Sequence, residues 1–501
     1  MAGNNKVATE DIESLFRQKP NRRIFTALPY LWLYNFGKRF HKPAKVQVKL
    51  ENSDKKFAQL FKDNRNDIEK IQKLRKKKDR KIAKLKKRIE GNFIMRVMGE
   101  PPTFYDTLIG RKTAEEIGLF MQTKGFFDAK VDIKTKIKRK RIWVTYQISE
   151  GQPTYIADVD WIVPDSGVYK TIQKDIANSR IKVDNIYDEN KLTDERTRIE
   201  KLLRDKGYFD FSRSYVAFDV DTNLVDSSGR GRKVAEVDIY ISDPVNNTHK
   251  AYVLDKVYFH TISADQFATK RQKDTLVFYP KFAKRLAEQD TIHYIYEGKR
   301  LAYSPRVLYK KIRMFPKQLY SNTATIATQS GLLGLDMFKF VNISFDTTKR
   351  SFVANIFTSP LDKYQFSNEG GFNVAQGPPG PFVHFSLRNR NVFRGCELFE
   401  NDFQFLFDGQ TGFSSETGFY NSQEISFNSA LIIPQLLIPT RLRFAFLNLN
   451  PRTRINIGFN FVRRPEYTRA NIRSALVYTF QKNFHAFNLT PVDLSIVNTL
   501  N

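Results

Sequence analysis

From residue 361 onward, apolar and polar residues alternate with a period of two in segments of ten or more residues. In 452–464, Thr453, Ile455, Ile457, Phe459 and Phe461 share one face, and Arg454, Asn456, Gly458 and Asn460 share the other. The next segment sets Ala470, Ile472, Leu476, Tyr478 and Phe480 against Arg469, Asn471, Arg473 and Thr479. Earlier, Phe399, Phe403, Phe405 and Phe407 alternate with Glu400, Asp402 and Gln404, and Ile425, Phe427 and Leu431 with Glu424, Ser426 and Asn428. This is the pattern of β-strands with one apolar face. Strands buried in an α/β core would be almost continuously apolar. A soluble β-sandwich also alternates. Against it stand the segment lengths, where a soluble strand runs about five or six residues, and an apolar face rich in Phe and Tyr, as in a lipid-facing wall with aromatic girdles. The pattern predicts one side of a transmembrane β-barrel, with Ile457, Phe459, Phe461, Ile472 and Leu476 facing lipid. About six strands follow Leu361, with a seventh starting near Val492.

The first 360 residues follow a different rhythm, a divergent repeat in which a helical stripe ends at Gly, aromatics follow, and two strands come next. One copy holds Gly125, Phe126 and Phe127, and another Gly207, Tyr208 and Phe209. A third runs through SNTATIATQSGLLGLDMFKF. Thr113 and Glu116 read as a capping box that starts the first of these helices. Gly125 and Gly207 stand where a left-handed C-terminal cap is needed. Ile117, Phe120 and Met121, like Ile199, Leu202 and Leu203, form stripes that pack on the following sheet. A further strand and helix precede the last two copies, so the unit is β-α-α-β-β. The predicted domains are 1–151, lacking its first strand and carrying a basic helical insertion at about 51–92; 152–245; 250–360, with an insertion at about 262–300; and 361–501. The repeats read equally as spacers or as docking modules whose strand edges pair with extended peptide.

Composition narrows the chemistry. The 501-residue chain carries a formal charge of +29, and the run from Lys70 to Arg88 holds a large share of it. Ile68, Ile71, Leu74, Ile82, Leu85 and Ile89 fall on a helical period there. No aromatics interleave for base stacking, so a solvated helix is preferred over a nucleic-acid surface, with anionic lipid the better partner for the run. The single cysteine, Cys396, excludes an internal disulfide framework and reads as a small wall residue at the start of a strand. The six histidines make no metal-binding spacing, no GxSxG elbow occurs, and the cluster at Gly370, Gly371, Gly377 and Gly380 lacks the GK[ST] ending of a phosphate loop. An enzyme, a metal site and a bound cofactor are therefore not expected. No run of eighteen apolar residues makes a transmembrane helix, and the first residues do not read as a signal peptide.

Several motifs in order carry a family resemblance: Arg17-Gln-Lys-Pro-Asn21, Leu31-Trp-Leu-Tyr-Asn-Phe-Gly37, Gly99-Glu-Pro-Pro102, Lys124-Gly-Phe-Phe127, Lys206-Gly-Tyr-Phe209, Phe338-Lys-Phe-Val-Asn342 and Arg388-Asn-Arg-Asn-Val-Phe-Arg-Gly395. With β-α-α-β-β repeats ahead of an amphipathic sheet, the chain resembles the BamA/TamA outer-membrane assembly superfamily. Within it the chain is most similar to the TamA-like lipoproteins of Bacteroidetes-type bacteria. The resemblance implies POTRA domains in the periplasm of a Gram-negative cell that meet a TamB-like partner. It also implies a barrel in the outer membrane that helps insert nascent outer-membrane proteins or moves outer-membrane lipid, without nucleotide or cofactor. In this family the first barrel strand pairs weakly with the last and the seam opens sideways. Here that strand is about 363–374, with Tyr364, Phe366, Gly370, Gly371, Phe372 and Val374 at the gate, and its glycines soften the pairing. The family barrel has about sixteen strands, and the lipobox cysteine is missing, so the expectation is a fragment of a longer reading frame. The rival functions are a central BamA-type assembly subunit, a periplasmic scaffold whose repeats bind a partner, and a basic nucleic-acid-binding protein.

Overall fold

The computed structural model describes residues 3–4, 6–25, 27–64, 67–138, 141–224, 231–245, 248–261, 273–278, 291–297, 301–347, 351–374, 379–408, 422–438, 449–464, 467–482 and 485–500. The chain divides into two compact units. One comprises Met1–Asp160, Arg180–Thr193 and Phe218–Asp238, the other Trp161–Ser179, Asp194–Ala217 and Ile239–Asn501.

The chain opens with α1 (Thr9–Ser14), α2 (Pro29–Arg39), α3 (Pro43–Asp63), α4 (Ile68–Glu90) and α5 (Thr107–Thr123), followed by β1 (Lys130–Lys138) and β2 (Arg141–Ser149). The two strands form an antiparallel pair from Lys130↔Ser149 to Lys138↔Arg141. Ile12, Ala114, Ile117, Met121, Phe126, Tyr146 and Ile148 form the core there, so the apolar stripe of α5 packs on the sheet.

The capping box expected at Thr113 and Glu116 does not form. Helix α5 begins nearly two turns earlier, where the Asp106 carboxylate accepts from the Leu108 amide at 2.8 Å. Thr113 lies inside the helix, buried, its hydroxyl donating to the Ile109 carbonyl at 3.0 Å, and Glu116 pairs with Arg17 instead. Asp is as good an N-cap as Thr, and a buried threonine hydroxyl satisfies itself on the preceding turn.

The basic segment is helical: it lies in α4, which packs on α3. Ile71, Leu74, Ile82, Leu85 and Ile89 are buried or half-buried while the lysines and arginines between them are mostly exposed. Asp67 caps α4, accepting from the Lys70 amide at 2.9 Å.

The second repeat supplies β3 (Thr154–Ile162), α6 (Ser166–Gln173), α7 (Glu189–Asp205), β4 (Val216–Leu224) and β5 (Lys233–Ile241), with strand order β3-β5-β4. The third supplies β6 (Leu254–Thr261), β7 (Lys273–Phe278), β8 (Ile292–Glu297), α8 (Pro305–Tyr309), α9 (Asn322–Leu333), β9 (Phe338–Asp346) and β10 (Phe352–Pro360). Its sheet runs β7-β8-β6-β10-β9, with β6 parallel to both β8 and β10. The described parts of the expected insertion at 262–300 are therefore strands that cover the outer edge of β6. Leu254, Val257, Phe259, Tyr294, Leu308, Ile312, Leu332 and Ile356 are among the residues of the core.

The rest of the described chain is one antiparallel sheet in sequential order: β11 (Tyr364–Asn373), β12 (Gly380–Arg390), β13 (Leu398–Asp408), β14 (Ser422–Ile433), β15 (Arg452–Arg463), β16 (Thr468–Lys482) and β17 (His485–Leu500). The strands are 10 to 16 residues long. There are seven of them, and the last starts at His485, before the expected Val492. The pairing steps from Leu476↔Val492 to Tyr478↔Leu489, so Thr490 and Pro491 together oppose Val477 in a bulge. A bulge tolerates proline because its residue needs no ladder hydrogen bond. The architecture is thus α/β repeats of β-α-α-β-β type followed by an antiparallel sheet that does not close among the described residues. Gly377 of the glycine cluster lies outside the described residues.

Candidate functional site

Register decides the faces of this sheet, because directly opposed residues of antiparallel strands project to the same side. Ile455, Ile457, Phe459 and Phe461 of β15 oppose Leu431, Ser429, Phe427 and Ile425 of β14, and Leu476, Ser474, Ile472 and Ala470 of β16. The row continues to Val492, Leu494, Ile496 and Asn498 of β17. In the other direction it passes through Phe399, Phe403 and Phe405 of β13 and Val383, Phe385 and Leu387 of β12, and ends on Gly370, Asn368 and Phe366 of β11. Ile457, Phe459 and Ile472 are exposed, and Phe461 and Leu476 half-buried. Polar residues interrupt this face at Ser429, Ser474, Asn498 and Asn368, and the Ser429 hydroxyl donates to Asn401 Oδ1 at 3.0 Å.

The opposite face is charged and internally bonded. Arg388 Nε lies 3.0 Å from Glu400 and Arg454 3.7 Å from the same carboxylate. Arg473 Nε donates to Asp493 Oδ1 at 2.8 Å, and Asn460 donates to Glu424 at 2.7 Å. The sheet therefore has one predominantly apolar side and one that carries its charged pairs.

Strand β11 is one edge of the described sheet and β17 the other. Tyr364, Phe366 and Phe372 are exposed, Phe372 at 73% of its surface, and Val374 follows just past the strand end. Gly370 and Gly371 oppose Val383 and Phe382. A Cβ on Gly371 would meet the Phe382 ring at 3.0 Å, so glycine lets that ring lie on the strand. The base of β11 is pinned by Arg390, which is only 5% exposed. Its Nε donates to the Asp336 carbonyl at 2.9 Å, one terminal nitrogen to the Asp362 carbonyl at 3.1 Å, and the other to Gln365 Oε1 at 2.8 Å. The turn after β12 is pinned as well, since Ser304 N donates to the Arg394 carbonyl at 2.7 Å and Asn391 Nδ2 to the Ala302 carbonyl at 2.9 Å. Cys396 is not a wall residue. It is buried in the core of the third repeat, and burial pushes its thiol up to about 12, which makes it inert as a nucleophile.

The Gly–aromatic turns of the repeats are connectors. Gly125 has φ +87°, and a Cβ there would meet the Tyr187 carbonyl at 2.6 Å, so only glycine fits. Its carbonyl accepts from Thr154 N, the first residue of β3, at 2.9 Å. Phe126 is buried, and the Phe127 ring lies 5.6 Å from Tyr187. Gly207, at φ +104°, repeats the arrangement, accepting from Tyr252 N at 2.9 Å just before β6. Tyr208 is buried, and Phe209 packs on Tyr252, Tyr320, Phe345 and Phe352 of the third repeat. The third copy departs from the expected glycine. Gly334 is helical, and Asp336, at φ +58°, takes the left-handed position. Asp is among the few non-glycine residues that adopt it readily. Glycine spacing alone therefore misses this junction.

A scan of protein families finds no match, and no curated protein matches by sequence. Among solved structures, BamA from Haemophilus ducreyi lacking POTRA domains 1-3 is similar over 69% of this chain and 52% of its own, with 10% identity and a TM-score of 0.37. POTRA1-3 of the periplasmic domain of Omp85 from Anabaena matches over 52% of this chain and 85% of its own, with 12% identity and a TM-score of 0.17. CdiB from Acinetobacter baumannii matches over 80% and 72%, with 9% identity and a TM-score of 0.25. The chain spans about half the length of the BamA chain.

Proposed function

We propose that the chain is part of an outer-membrane assembly factor resembling the BamA/TamA superfamily, and within it the TamA-like branch. The observation that carries this reading is the seven-stranded sheet of long strands, apolar on one exposed face and hydrogen-bonded and charged on the other. Such a sheet suits hydrocarbon on one side and water on the other. Backbone groups at a sheet edge in lipid cost several kcal/mol each when unpaired, so an edge strand there accepts another strand. Two features of β11 support that role: its base is anchored by Arg390, and among the described residues its outer edge pairs with no further strand while Tyr364, Phe366 and Phe372 are exposed. A nascent outer-membrane protein would add a strand to this edge and satisfy its own backbone as it enters lipid. The repeats, on this reading, stand in the periplasm and dock a TamB-like partner, an assignment supported by the resemblance alone.

The test uses Ser367→Cys on β11 and Ser426→Cys in mid-sheet, each challenged in membranes with a nascent β-barrel protein carrying a cysteine in its last strand. Disulfide adducts are expected with Ser367→Cys only. No adduct at β11, or equal adducts at both positions, overturns strand-edge templating.

A further inference from the structure

A cleft of about 960 Å³ in the second unit is lined by Lys201 and Arg204 of α7, Lys311 and Arg313 between α8 and α9, and Arg452 at the start of β15. One carboxylate, Glu200, lines it with them. We propose that this cleft binds a phosphate group, carried either by the headgroup of an anionic lipid or by a free polyphosphate.

Charge balance is the first argument. Five cations against one carboxylate leave a large local excess, and such an excess in a concave site attracts anions strongly. Asp205, the next residue along α7 from Arg204, keeps its charge but does not line the cleft: both its oxygens are engaged by Ser321 and Thr323 at the start of α9, at 2.6 to 2.9 Å, so it forms no ion pair with the lining cations through them. The same bonds satisfy that helix end, so the α9 amides are not the attraction.

Burial is the second argument. Lys311 is only 7% exposed, and its ammonium, with three donors, has Asn450 as its recorded side-chain partner. Burial first, and then Arg452 and Arg313, hold its pKa down to about 8. Arg204 donates to the Tyr320 hydroxyl at 3.2 Å, while its buried Nε has no partner among the described residues. A buried cation crowded by like charges is stabilised when an anion arrives. Arg452 and Lys311 are also held in place, by the Gly334 carbonyl and by Asn450 respectively, so little side-chain entropy is lost on binding.

Size and place indicate the carrier. The volume exceeds that needed by a bare ion and suits a headgroup or a pyrophosphate. Gln481, near the end of β16, lines the cleft together with Arg452, so it opens at one end of the long strands. If the sheet stands in the membrane as proposed above, that end lies at headgroup level, where anionic lipid meets basic side chains. The lipid carrier rests on that reading, whereas phosphate binding itself does not.

The experiment is calorimetric titration of the full chain in detergent micelles with pyrophosphate, followed by co-flotation with vesicles of phosphatidylglycerol or of phosphatidylcholine alone. Arg204→Gln/Arg452→Gln is compared with Lys134→Gln/Lys136→Gln, two exposed lysines of β1. Pyrophosphate should bind the wild type, and the cleft variant at least about tenfold more weakly, with the β1 variant unchanged. Absence of pyrophosphate binding, or an equal loss in the β1 variant, overturns the site. With pyrophosphate bound, preference for phosphatidylglycerol vesicles that pyrophosphate abolishes supports the lipid carrier, and no such preference supports the free anion. Failure of the sheet to insert would remove the flotation signal in every variant while leaving the titration intact.

Discussion

Replacing Phe459 by Asp tests the facing of the sheet at its centre. Phe459 is 38% exposed and lies between Phe427 of β14 and Ile472 of β16 on the apolar face. The change forfeits roughly 1.5–3 kcal/mol of apolar burial. If that face meets lipid as proposed, a carboxylate there adds about 2 kcal/mol, somewhat less than Arg or Lys at mid-membrane. The total is about 4 kcal/mol, or roughly a thousandfold in an insertion equilibrium. Asn456→Asp, three residues away on the polar face, is the control. Arg454 Nε already donates to Asn456 Oδ1 at 2.7 Å, so a carboxylate there strengthens an existing bond and costs nothing measurable. Flotation with phospholipid vesicles after refolding separates inserted from free chain. Phe459→Asp should remain in the dense fraction while Asn456→Asp floats like the wild type. Equal behaviour of the two variants would refute the two-faced wall.

Arg390→Met removes three charge-assisted hydrogen bonds, each worth about 1.5–3 kcal/mol. With the buried charge also gone, the net loss is about 3 kcal/mol, and amide exchange at 364–367 should speed up by roughly a hundredfold; unchanged exchange would show that Arg390 does not hold the base of β11. For Lys311, the folded pKa of about 8 lies below the ordinary 10.5. The unfolded chain therefore binds the extra proton between these values, and stability rises with pH across that window. At about 1.4 kcal/mol per pH unit the gain across this window approaches roughly 3.5 kcal/mol. It is lost as pH falls through 8, so Lys311→Met should be the more stable form at pH 7 and forfeit that advantage by pH 10. A constant difference between the two proteins in thermal unfolding across this range would disprove it.

What could be read locally was read well where one period dominates. The alternation in 452–464 requires only that strand side chains point up and down in turn, and the register sets Ile457 and Phe459 on one face and Asn456 and Gly458 on the other. Gly125 and Gly207 were legible because a left-handed turn after a helix favours the residue without a Cβ. The misreadings arose where two sequence signals compete. Thr113 and Glu116 match a cap, yet Asp106 caps first and α5 continues through both. Asp336 takes a glycine's place at the third junction. The pairing of β8 beside β6 in the third repeat's sheet has no local signal, since the two strands are parallel and distant in sequence.

The amino-acid order alone therefore determined the elements and their faces, since helical and strand periods are properties of a few consecutive residues. Only the tertiary structure decided which distant groups converge. Arg390 finds the carbonyls of Asp336 and Asp362, and Lys201, Arg204, Lys311, Arg313 and Arg452 meet around one cleft. No spacing rule joins residues tens to hundreds of positions apart: their proximity follows from how sheets and helices stack, and the burial that alters their chemistry exists only after stacking.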